Sequence, residues 1–376
     1  MEAVICPTGQ PAGSESLVLP ENPSRSLLKE LLEGAGPDEE LFGSARRKLL
    51  DEMGGEVYLR GIVEISNRCR KNCLYCGLRR DNRSVARYSM ETGEIISALE
   101  EGYSLGLRSF LLQSGEMLGE GHLEMVAGVL EWCSSRIPDA RMVLSLGELP
   151  EEAYDMLHTA GGHRYLLRME TSSRELYDAC HPQDGLHSHG NRLKALEYLR
   201  DTGWQTGTGV LIGLPGQSER DLAGDLLFMR EFDIDMVGMG PYIENRNTPF
   251  WNLRDRLRSR EERTLLTLRM TALVRLLIPG VNIAATTALQ TIGDLGLERG
   301  LLAGANVVMP NLTPGKYRLN YNLYEGKTVV EDTLQVMLDT LKDRCAGIGR
   351  EVKLYHPGDP PHYRSRMMQR GDVIEG

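Results

Sequence analysis

Beyond Val57 the chain repeats one pattern, in which a short apolar run is followed by a longer amphipathic segment. Short apolar runs are typical of buried parallel strands, and the amphipathic segments have the 3.6-residue period of helices. Because eight strand candidates are each followed by a helix candidate, the sequence predicts an α/β fold, a complete (βα)8 TIM barrel. The predicted strands are 59–65, 108–113, 141–146, 164–168, 206–212, 235–239, 281–285 and 305–309, and the predicted helices are 92–105, 120–134, 150–160, 190–202, 217–231, 260–277, 289–300 and 329–347.

The segments outside this repeat complete the domain organisation. Residues 1–25 contain several prolines, serines and glycines and are predicted to form a flexible arm. Two helical patterns in residues 26–56, the first with Ser26 as its expected N-cap, predict an N-terminal helical extension that packs on the barrel. The barrel is predicted to cover 57–350, and residues 351–376 are a C-terminal tail to which the pattern assigns no structure.

Composition and charge restrict the function classes. Among 376 residues, 41% are hydrophobic and 26% are charged, which is typical of a globular protein with one large core or two smaller ones. A formal net charge of -10 argues against a nucleic-acid partner held by phosphate contacts. No apolar run approaches membrane-spanning length and the first thirty residues lack a signal-peptide pattern, so we expect a cytoplasmic protein with no membrane partner.

Three cysteines, Cys69, Cys73 and Cys76, lie in a predicted loop directly after the first strand. Three thiolates can hold three irons of a 4Fe–4S cluster. The fourth iron is then open to the amino and carboxylate groups of S-adenosylmethionine (SAM), and this cysteine spacing is the radical SAM signature. A zinc site would require a second cysteine pair, and the other four cysteines are scattered. A disulfide framework does not fit three clustered cysteines in a long chain without a signal peptide.

Polar residues follow the other predicted strands, at the barrel end where functional residues of this fold collect. Gly115 and Glu116 follow the second strand and suit a ligand amine, although a turn before an acidic helix start is the alternative. Arg168 and Glu170 alternate at the end of the fourth strand, so both face the barrel mouth, where they could also form only a mutual ion pair. Arg192 opens the following helix, where the helix dipole disfavours a cation, and this position invites an anionic partner such as the SAM carboxylate.

Three further groups are each open to a structural interpretation. Thr286 and Thr287 end the seventh strand, where hydroxyl groups bind an anion or cap a helix. Tyr321 and Tyr324 lie in a loop after the eighth strand, at a spacing that also fits packing on one helix face. The histidine-rich loop 172–190 is not predicted to bind a metal, because no carboxylate geometry supports such a site.

Taken with the strand ends, the cysteine loop resembles the HydE family of radical SAM maturases of FeFe-hydrogenase, within the wider biotin synthase and methylornithine synthase group. The resemblance covers residues from about 30 to 350, and the run 76–82 is specific to this branch. The matching stretches are 66–82, 112–116, 144–148, 164–171, 207–217, 235–241, 284–288 and 304–314.

This resemblance implies a role for each matching residue. One 4Fe–4S cluster would be held by Cys69, Cys73 and Cys76. The residues implied to bind SAM are Tyr75 beside the adenine, Glu170 and Arg192 at the methionine part, and Ser114, Gly115 and Glu116 near it. The residues implied to bind substrate are the anion-binding Thr286 and Thr287, the mouth tyrosines Tyr321 and Tyr324, and the cavity-lining Arg168, Met236 and Met309.

The family also implies a substrate and partners. The substrate would be a small organometallic iron complex carrying cysteine, carbonyl and cyanide ligands, which a 5'-deoxyadenosyl radical attacks on the way to the hydrogenase H-cluster. An electron donor such as ferredoxin or flavodoxin is expected, together with other hydrogenase maturases. Some family members hold a second cluster on three cysteines after the tyrosine loop. Residues 325–344 contain no cysteine here, so we expect one cluster.

Two kinds of alternative remain open at this stage. A radical SAM enzyme acting on a small organic substrate would resemble methylornithine synthase or biotin synthase. Biotin synthase needs a 2Fe–2S cluster held partly by strand cysteines, and none of the predicted strands contains a cysteine. Methylornithine synthase is harder to exclude, although the run 77–80 favours a maturase. A non-catalytic iron–sulfur scaffold would need the cysteines but no SAM pocket.

Overall fold

Short parallel strands alternate with helices along most of residues 17–293, 295–326 and 333–370, which the computed structural model describes. The strands are β1 (Glu56–Leu59), β2 (Gly61–Ser66), β3 (Ser109–Ser114), β4 (Arg141–Ser145), β5 (Gly162–Leu166), β6 (Gln205–Thr208), β7 (Leu211–Ile212), β8 (Met236–Val237), β9 (Gly240–Pro241), β10 (Asn282–Ile283), β11 (Val307–Val308) and β12 (Glu351–Lys353). The helices are α1 (Arg25–Glu33), α2 (Asp38–Met53), α3 (Thr92–Ser104), α4 (Glu120–Arg136), α5 (Glu151–Thr159), α6 (Arg174–Cys180), α7 (His189–Asp201), α8 (Glu219–Glu231), α9 (Arg260–Leu277), α10 (Thr287–Ile292), α11 (Gly296–Leu302), α12 (Gly315–Arg318), α13 (Leu334–Ala346) and α14 (Pro361–Arg370), and a 3₁₀ helix covers Pro249–Arg256.

The central sheet of the described chain has seven parallel strands in the order β10-β8-β6-β5-β4-β3-β2, which confirms the predicted α/β class. Strand β11 pairs with β1 in a second sheet, and it is also bridged to both edges of the central sheet. One bridge joins Val307 to Ala284 beside β10, and Asn311, just after β11, pairs with Ile62 of β2. A backbone hydrogen bond of 2.8 Å from Leu312 N to Ile62 O extends the second bridge. The central sheet is therefore curled, and the carboxyl ends of its strands face a common space.

Apolar side chains fill the inside of the curl below that space. Ile62, Leu111, Val143 and Met236 come from four different strands and form one buried cluster, against which Met309 packs. Because side chains alternate between the two faces of a strand, their neighbours along the strands point outward. Those outward side chains join the main hydrophobic core beneath the helices. The apolar inner layer forms the floor under the candidate site.

Two predicted strands are each divided in the structure. The predicted strand 206–212 is β6 and β7, and the predicted strand 235–239 is β8 followed by the separate strand β9. The break lies where the backbones of Gly209 and Gly238 meet, since a Cβ atom on Gly209 would overlap the carbonyl oxygen of Gly238. The apolar pattern did not reveal this break because both glycines interrupt it only briefly.

Most predicted helices have bounds within two residues of the observed ones, as for α3, α4, α5, α7, α8 and α9. The helix predicted at 289–300 is instead α10 and α11, because Gly296 approaches the carbonyl group of Leu289 too closely for any Cβ atom. The helix predicted from 329 begins at Leu334 after its N-cap Thr333, and residues 327–332 lie outside the described residues. The short α6 within the histidine-rich loop was not predicted.

Helices α1 and α2 precede the sheet and pack on α8 and α9. Ser24, not Ser26, is the N-cap of α1 and accepts a hydrogen bond from Leu27 N at 3.1 Å, so the predicted cap was wrong by two residues. Arg269 of α9 donates to Asp38 at 2.7 Å and to the carbonyl oxygen of Leu32 at 2.8 Å. Residues 1–16 of the predicted arm lie outside the described residues.

The segment after residue 350 is built into the fold. Strand β12 pairs in parallel with β1, and α14 follows it. Between them, Asp359 accepts hydrogen bonds of 2.6 Å from both Arg164 and Gln205, at the amino ends of β5 and β6. This role was not predicted, because the stretch is polar and rich in proline.

We predict that Asp359→Asn destabilises the protein by about 3 kcal/mol at pH 7, the typical cost of breaking a buried ion pair. Burial alone would raise the pKa of Asp359, but the charge and hydrogen bonds of Arg164 and Gln205 hold this pKa well below its usual range. A lowered carboxyl pKa contributes stability above the pKa of the unfolded chain, about 4, and that stability is lost as the pH falls further. The difference between wild type and variant should therefore shrink below about pH 4.

Urea denaturation across this pH range measures the free energies of unfolding. Asp51→Asn, at an exposed position of α2, is the matched control and should leave stability nearly unchanged. An Asp359→Asn protein as stable as the control at pH 7 would contradict the assigned role of this ion pair.

Candidate active site

A cavity of about 330 Å³ opens at the carboxyl ends of the central strands. Its wall combines apolar side chains from the strands with charged groups from the loops that follow them. The sequence-predicted site residues that line it are Cys69, Cys73, Tyr75, Cys76, Ser114, Gly115, Glu116, Arg168, Glu170, Arg192, Thr286, Thr287, Met309, Tyr321 and Tyr324. The structure thus brings together residues that lie up to 255 positions apart in the chain, from Cys69 to Tyr324.

Met236 is the predicted site residue that does not line the cavity. It belongs to the buried apolar layer with Ile62 and Leu111, and its sulfur accepts a 3.4 Å hydrogen bond from Arg60. Ile62 and Leu111 of this layer do line the cavity, so Met236 adjoins the lining, and its role in binding substrate stays a prediction. Strand alternation predicts that Met236 points inward, but not whether it reaches the cavity.

Close backbone contact holds the cysteine loop against the end of β3. A Cβ atom on Gly115 would lie 2.7 Å from Cys69 Cβ and closer still to the carbonyl oxygen of Arg68. The Glu116 N–H points at Cys69 Sγ, 3.4 Å away, and the Glu116 carbonyl oxygen accepts from Arg70 N at 2.9 Å. Glycine is needed at position 115 because only a residue without a side chain allows this approach.

One partly buried guanidinium group, that of Arg87, organises the segment after the cysteines. Arg87 donates to the carbonyl oxygens of Asn67 at 2.6 Å, Leu78 at 2.9 Å, Arg79 at 2.7 Å and Asn82 at 3.2 Å. A loop cannot satisfy its carbonyl groups as a helix or sheet does, and a cation with five donors supplies the missing bonds. Sequence analysis missed this residue, because no spacing rule connects it to the cysteines.

The histidine-rich loop supports the cysteine loop from its other side. Asn72 N donates to His187 Nε2 at 2.9 Å, which leaves the proton on Nδ1 to be donated to Asp184 at 2.6 Å. Tyr75 and His181 are joined by a 3.3 Å hydrogen bond between Oη and Nε2. These histidines serve as hydrogen-bond partners of the loop.

Two carboxylates, those of Glu116 and Glu148, form ion pairs with the cations around the cysteines. Glu116 accepts from Arg70 at 2.7 Å and from the backbone N–H of Glu148 at 2.8 Å. Glu148 in turn accepts from Lys71 at 3.0 Å and from Arg192. Burial alone would raise the pKa of Glu148, but the charges of Arg192 and Lys71 outweigh it and lower this pKa, so the carboxylate stays ionised. Glu148 and Lys71 were not predicted as site residues, although Glu148 lies two residues after the third predicted strand.

Arg168 and Glu170 form the mutual ion pair that the sequence left as an alternative. The guanidinium group of Arg168 donates to the Glu170 carboxylate through Nε at 3.0 Å and through Nη2 at 2.9 Å. Glu170 has a φ of 66°, an uncommon left-handed conformation for a residue other than glycine. Its backbone N–H donates to Gly209 O at 2.9 Å, which holds this conformation beside the cavity.

The predicted threonines and tyrosines also line the cavity. Thr286 is the N-terminal neighbour of α10, but its hydroxyl group donates to Met239 O at 3.2 Å and makes no cap hydrogen bond. Tyr321 and Tyr324 follow the end of α12, so the alternative of packing on one helix face does not apply to them. Tyr321 is buried, and the pKa of Tyr324 is raised to about 12 by burial.

The three cysteines fit an iron–sulfur cluster better than a single metal ion. In the described part of the chain, no group of three or more His, Cys, Asp or Glu side chains is close enough to share one ion. In a cluster each cysteine binds a different iron, so the three thiols need not converge on one ion. They need only line the same cavity, as they do here. Burial raises the pKa of Cys73 to about 12. Iron binding must therefore displace a proton from this thiol.

Comparison with known proteins identifies the class first. The sequence profile of the radical SAM superfamily matches residues 63–229, a range that begins within β2 and contains the cysteine loop and β3 to β7. Enzymes of this superfamily use a 4Fe–4S cluster and SAM. No helix in the described ranges is long and apolar enough to cross a membrane.

The family within this class follows from a curated relative. The chain is 42% identical to the [FeFe] hydrogenase maturase subunit HydE of Thermotoga maritima over 313 residues, which cover 82% of this chain and 85% of the relative. The chain therefore belongs to the HydE family of radical SAM enzymes.

Biotin synthase and methylornithine synthase are more distantly similar to this chain. Biotin synthase of Rhodococcus jostii is 26% identical over 275 residues, which cover 72% of this chain and 78% of that enzyme. The crystal structure of methylornithine synthase (PylB) superposes with a TM-score of 0.74 at 20% identity, covering 88% of this chain and 94% of the other. The similarity to methylornithine synthase is shown for the fold alone.

We predict that Gly115→Ala lowers the iron content of the reconstituted protein, because the new Cβ atom would displace Cys69 or Arg68. Overpacking of this kind costs about 1–3 kcal/mol, which here falls on the cysteine loop. Iron analysis and the visible absorbance of the cluster measure the effect. Gly119→Ala is the matched control, since a Cβ atom there meets nothing within 4 Å. Equal iron content in both variants would contradict the assigned role of Gly115.

Proposed function

We propose that this protein cleaves SAM reductively at a 4Fe–4S cluster held by Cys69, Cys73 and Cys76 and acts as an FeFe-hydrogenase maturase. The observation that carries the proposal is one cavity that combines these cysteines with buried charged groups, in a chain of the HydE family. When bound, the cluster and SAM supply one-electron chemistry that yields methionine and a 5'-deoxyadenosyl radical. The residues of the chain bind and orient these groups.

The cysteine loop is proposed to hold the cluster against the strand ends. The Glu116 N–H at 3.4 Å from Cys69 Sγ stabilises a thiolate there. The charges of Arg192 and Lys71 favour the thiolate of Cys73, although burial opposes it. Both cations are themselves held by Glu148, so their charges stay in place without a bound ligand.

SAM is proposed to lie between Glu170 and Arg192, near Ser114, Gly115 and Glu116, with Tyr75 beside its adenine. A guanidinium group has five N–H donors, and the contacts of Arg192 with Glu148 and with the Arg168 carbonyl oxygen use Nε and Nη1. A SAM carboxylate can therefore bind Arg192 while Glu148 stays bound. The ammonium group of SAM would join Arg168 on the carboxylate of Glu170.

The substrate is proposed to be a small iron complex carrying cysteine, carbonyl and cyanide ligands. Groups suited to its polar ligands are Arg168, Thr286, Thr287, Tyr321 and Tyr324 on the cavity wall, with Met309 on the floor and Met236 packed beneath it. Apolar walls keep water from a carbon radical, which abstracts hydrogen from exposed donors. An electron donor such as ferredoxin or flavodoxin and the other hydrogenase maturases complete the proposed partners.

We further propose that the curled sheet closes into a complete (βα)8 barrel through β11, with α1 and α2 as a helical extension. The bridges of Val307 to Ala284 and of Asn311 to Ile62 support this closure. Residues 26–56 and 57–350 would then be the extension and the barrel, and the segment from 351 would cover the amino ends of the strands through Asp359.

The alternatives predict different features. A biotin synthase-like reaction would need cysteines on the strands, and the described strands contain none, since Cys133, Cys180 and Cys345 lie on helices. Methylornithine synthase has a similar fold, so only the substrate distinguishes a methylornithine synthase-like reaction from the proposed one. A scaffold without catalysis would need no cofactor site, so adding SAM would leave the spectrum of its cluster unchanged.

We predict that Cys73→Ala abolishes cluster binding and SAM cleavage together, because two thiolates do not hold the cluster. Iron content, and the methionine and 5'-deoxyadenosine formed after reduction by dithionite, are the measurements. Cys345→Ala, in a buried helical position, is the matched control and should keep both properties. Substantial cleavage by the Cys73 variant, or loss of iron in the control, would overturn the one-cluster assignment.

We also predict that a synthetic iron(II) complex with cysteine, carbonyl and cyanide ligands is consumed with formation of 5'-deoxyadenosine. Lysine and dethiobiotin, tested in parallel, should remain unchanged because the cavity is assigned to a different substrate. Mass spectrometry of the products distinguishes the three reactions, and the Cys73→Ala protein provides the blank. Rearrangement of lysine would establish the methylornithine synthase-like alternative instead.

A further inference from the structure

The cysteine loop is a basic segment in an acidic protein. The chain has a formal net charge of -10, yet residues 68–87 contain six arginines and one lysine against a single acid, Asp81. Part of this charge is used internally, because Lys71 is paired with Glu148 and Arg87 holds four loop carbonyl groups. The charge that remains at the surface is what a partner would meet.

Three of these arginines, Arg68, Arg80 and Arg83, are exposed. Arg80 is paired with Asp81 at 3.1 Å in a contact whose two side chains are each 49% exposed, so water screens this pair strongly. Arg68 directly precedes the cluster ligand Cys69 in the chain. Positive charge therefore reaches the surface within a few residues of the cysteines.

The loop after α12 is joined to the arginine segment and carries one exposed apolar residue. Asn67 donates through Nδ2 to Ala86 O at 2.8 Å and to Asn320 O at 2.7 Å, which joins the arginine segment to the loop after α12. Leu319, the neighbour of Asn320, is 70% exposed. We name Arg68, Arg80 and Arg83 the arginine face. Arg68 and Arg83 both act electrostatically on Arg87, so they lie on the same part of the segment. A surface patch of one sign of charge attracts and orients a partner of the opposite sign.

We propose that the arginine face docks an acidic one-electron carrier protein that reduces the cluster, an inference that rests on the proposed function. In each encounter the reduced carrier would lose one electron and the cluster would gain it, with no atom transferred. Net negative charge elsewhere on the chain repels such a carrier, and the basic segment attracts it, so the field orients the carrier towards the cysteines. The loop does not have to reorganise for docking, because Arg87 already ties it down.

The test is the rate at which reduced flavodoxin, an acidic carrier, reduces the cluster of the full-length reconstituted protein in a stopped-flow instrument. The variant Arg80→Glu/Arg83→Glu should lower the second-order rate constant by about tenfold or more at low ionic strength. The difference should shrink near 1 M salt, where the Debye length is about 3 Å. Arg46→Glu/Arg364→Glu, at exposed positions on α2 and α14, makes the same change in net charge and should retain the wild-type rate.

A small neutral donor, photoreduced deazaflavin, separates docking from damage to the cluster. Both double variants should be reduced by it at the wild-type rate. Equal flavodoxin rates for the variant and wild type would overturn the proposal, and so would slow reduction of the Arg80/Arg83 variant by deazaflavin. The proposal would also be overturned if these arginines bound an oligonucleotide while their substitution left the rate of reduction by flavodoxin unchanged. Failure of the proposed function is a separate result, since a cluster that is reduced but cleaves no SAM leaves these rates unaffected.

Discussion

Burial of charge around the cysteine loop is the constraint on which the site depends. Lys71 and Arg192 are buried beside thiols, where an unpaired cation would be costly. Glu148 pairs with both, and Glu116 connects the same network to Arg70 and to the backbone N–H of Glu148. Because each of these charges has a partner within the chain, the fold itself holds the cations in place beside the cysteines.

Support for the cysteine loop comes from four separate parts of the chain. The end of β3 contributes Gly115, the histidine-rich loop contributes His187, and the tyrosine loop accepts the N–H of Gly77 through Leu323 O at 2.9 Å. Arg87 completes the set from within the segment itself. A loop of this kind has no ladder of its own, so its geometry is only as precise as these tertiary contacts. The spacing of the cysteines is a local property of the sequence, whereas the shape of the cysteine loop depends on contacts with distant parts of the chain.

This difference explains what the sequence could predict. Helices such as α3, α7 and α9 were predicted within two residues because apolar period and capping are local properties. The position of the site followed from the rule that parallel strands converge at their carboxyl ends. The break between β6 and β7 and the role of Asp359 depend on distant contacts, and no local pattern encodes them. The ion-pair partner of Arg168 was foreseen as an alternative, but the partner of Arg192 was not.

Arg192 shows how a correct position can carry an incomplete interpretation. Its place in the first turn of α7 opposes the helix dipole, which pointed to an anion as its partner. The protein itself supplies that anion through Glu148, from the loop after β4. Desolvation alone would lower the pKa of Arg192, but Glu148, together with Tyr177 and Tyr75, raises it well above its usual value. A carboxylate ligand would therefore meet a guanidinium group that is already oriented, and it would gain by adding to this pair without breaking it. Preorganisation of this kind reduces the cost of ordering the site when the ligand binds.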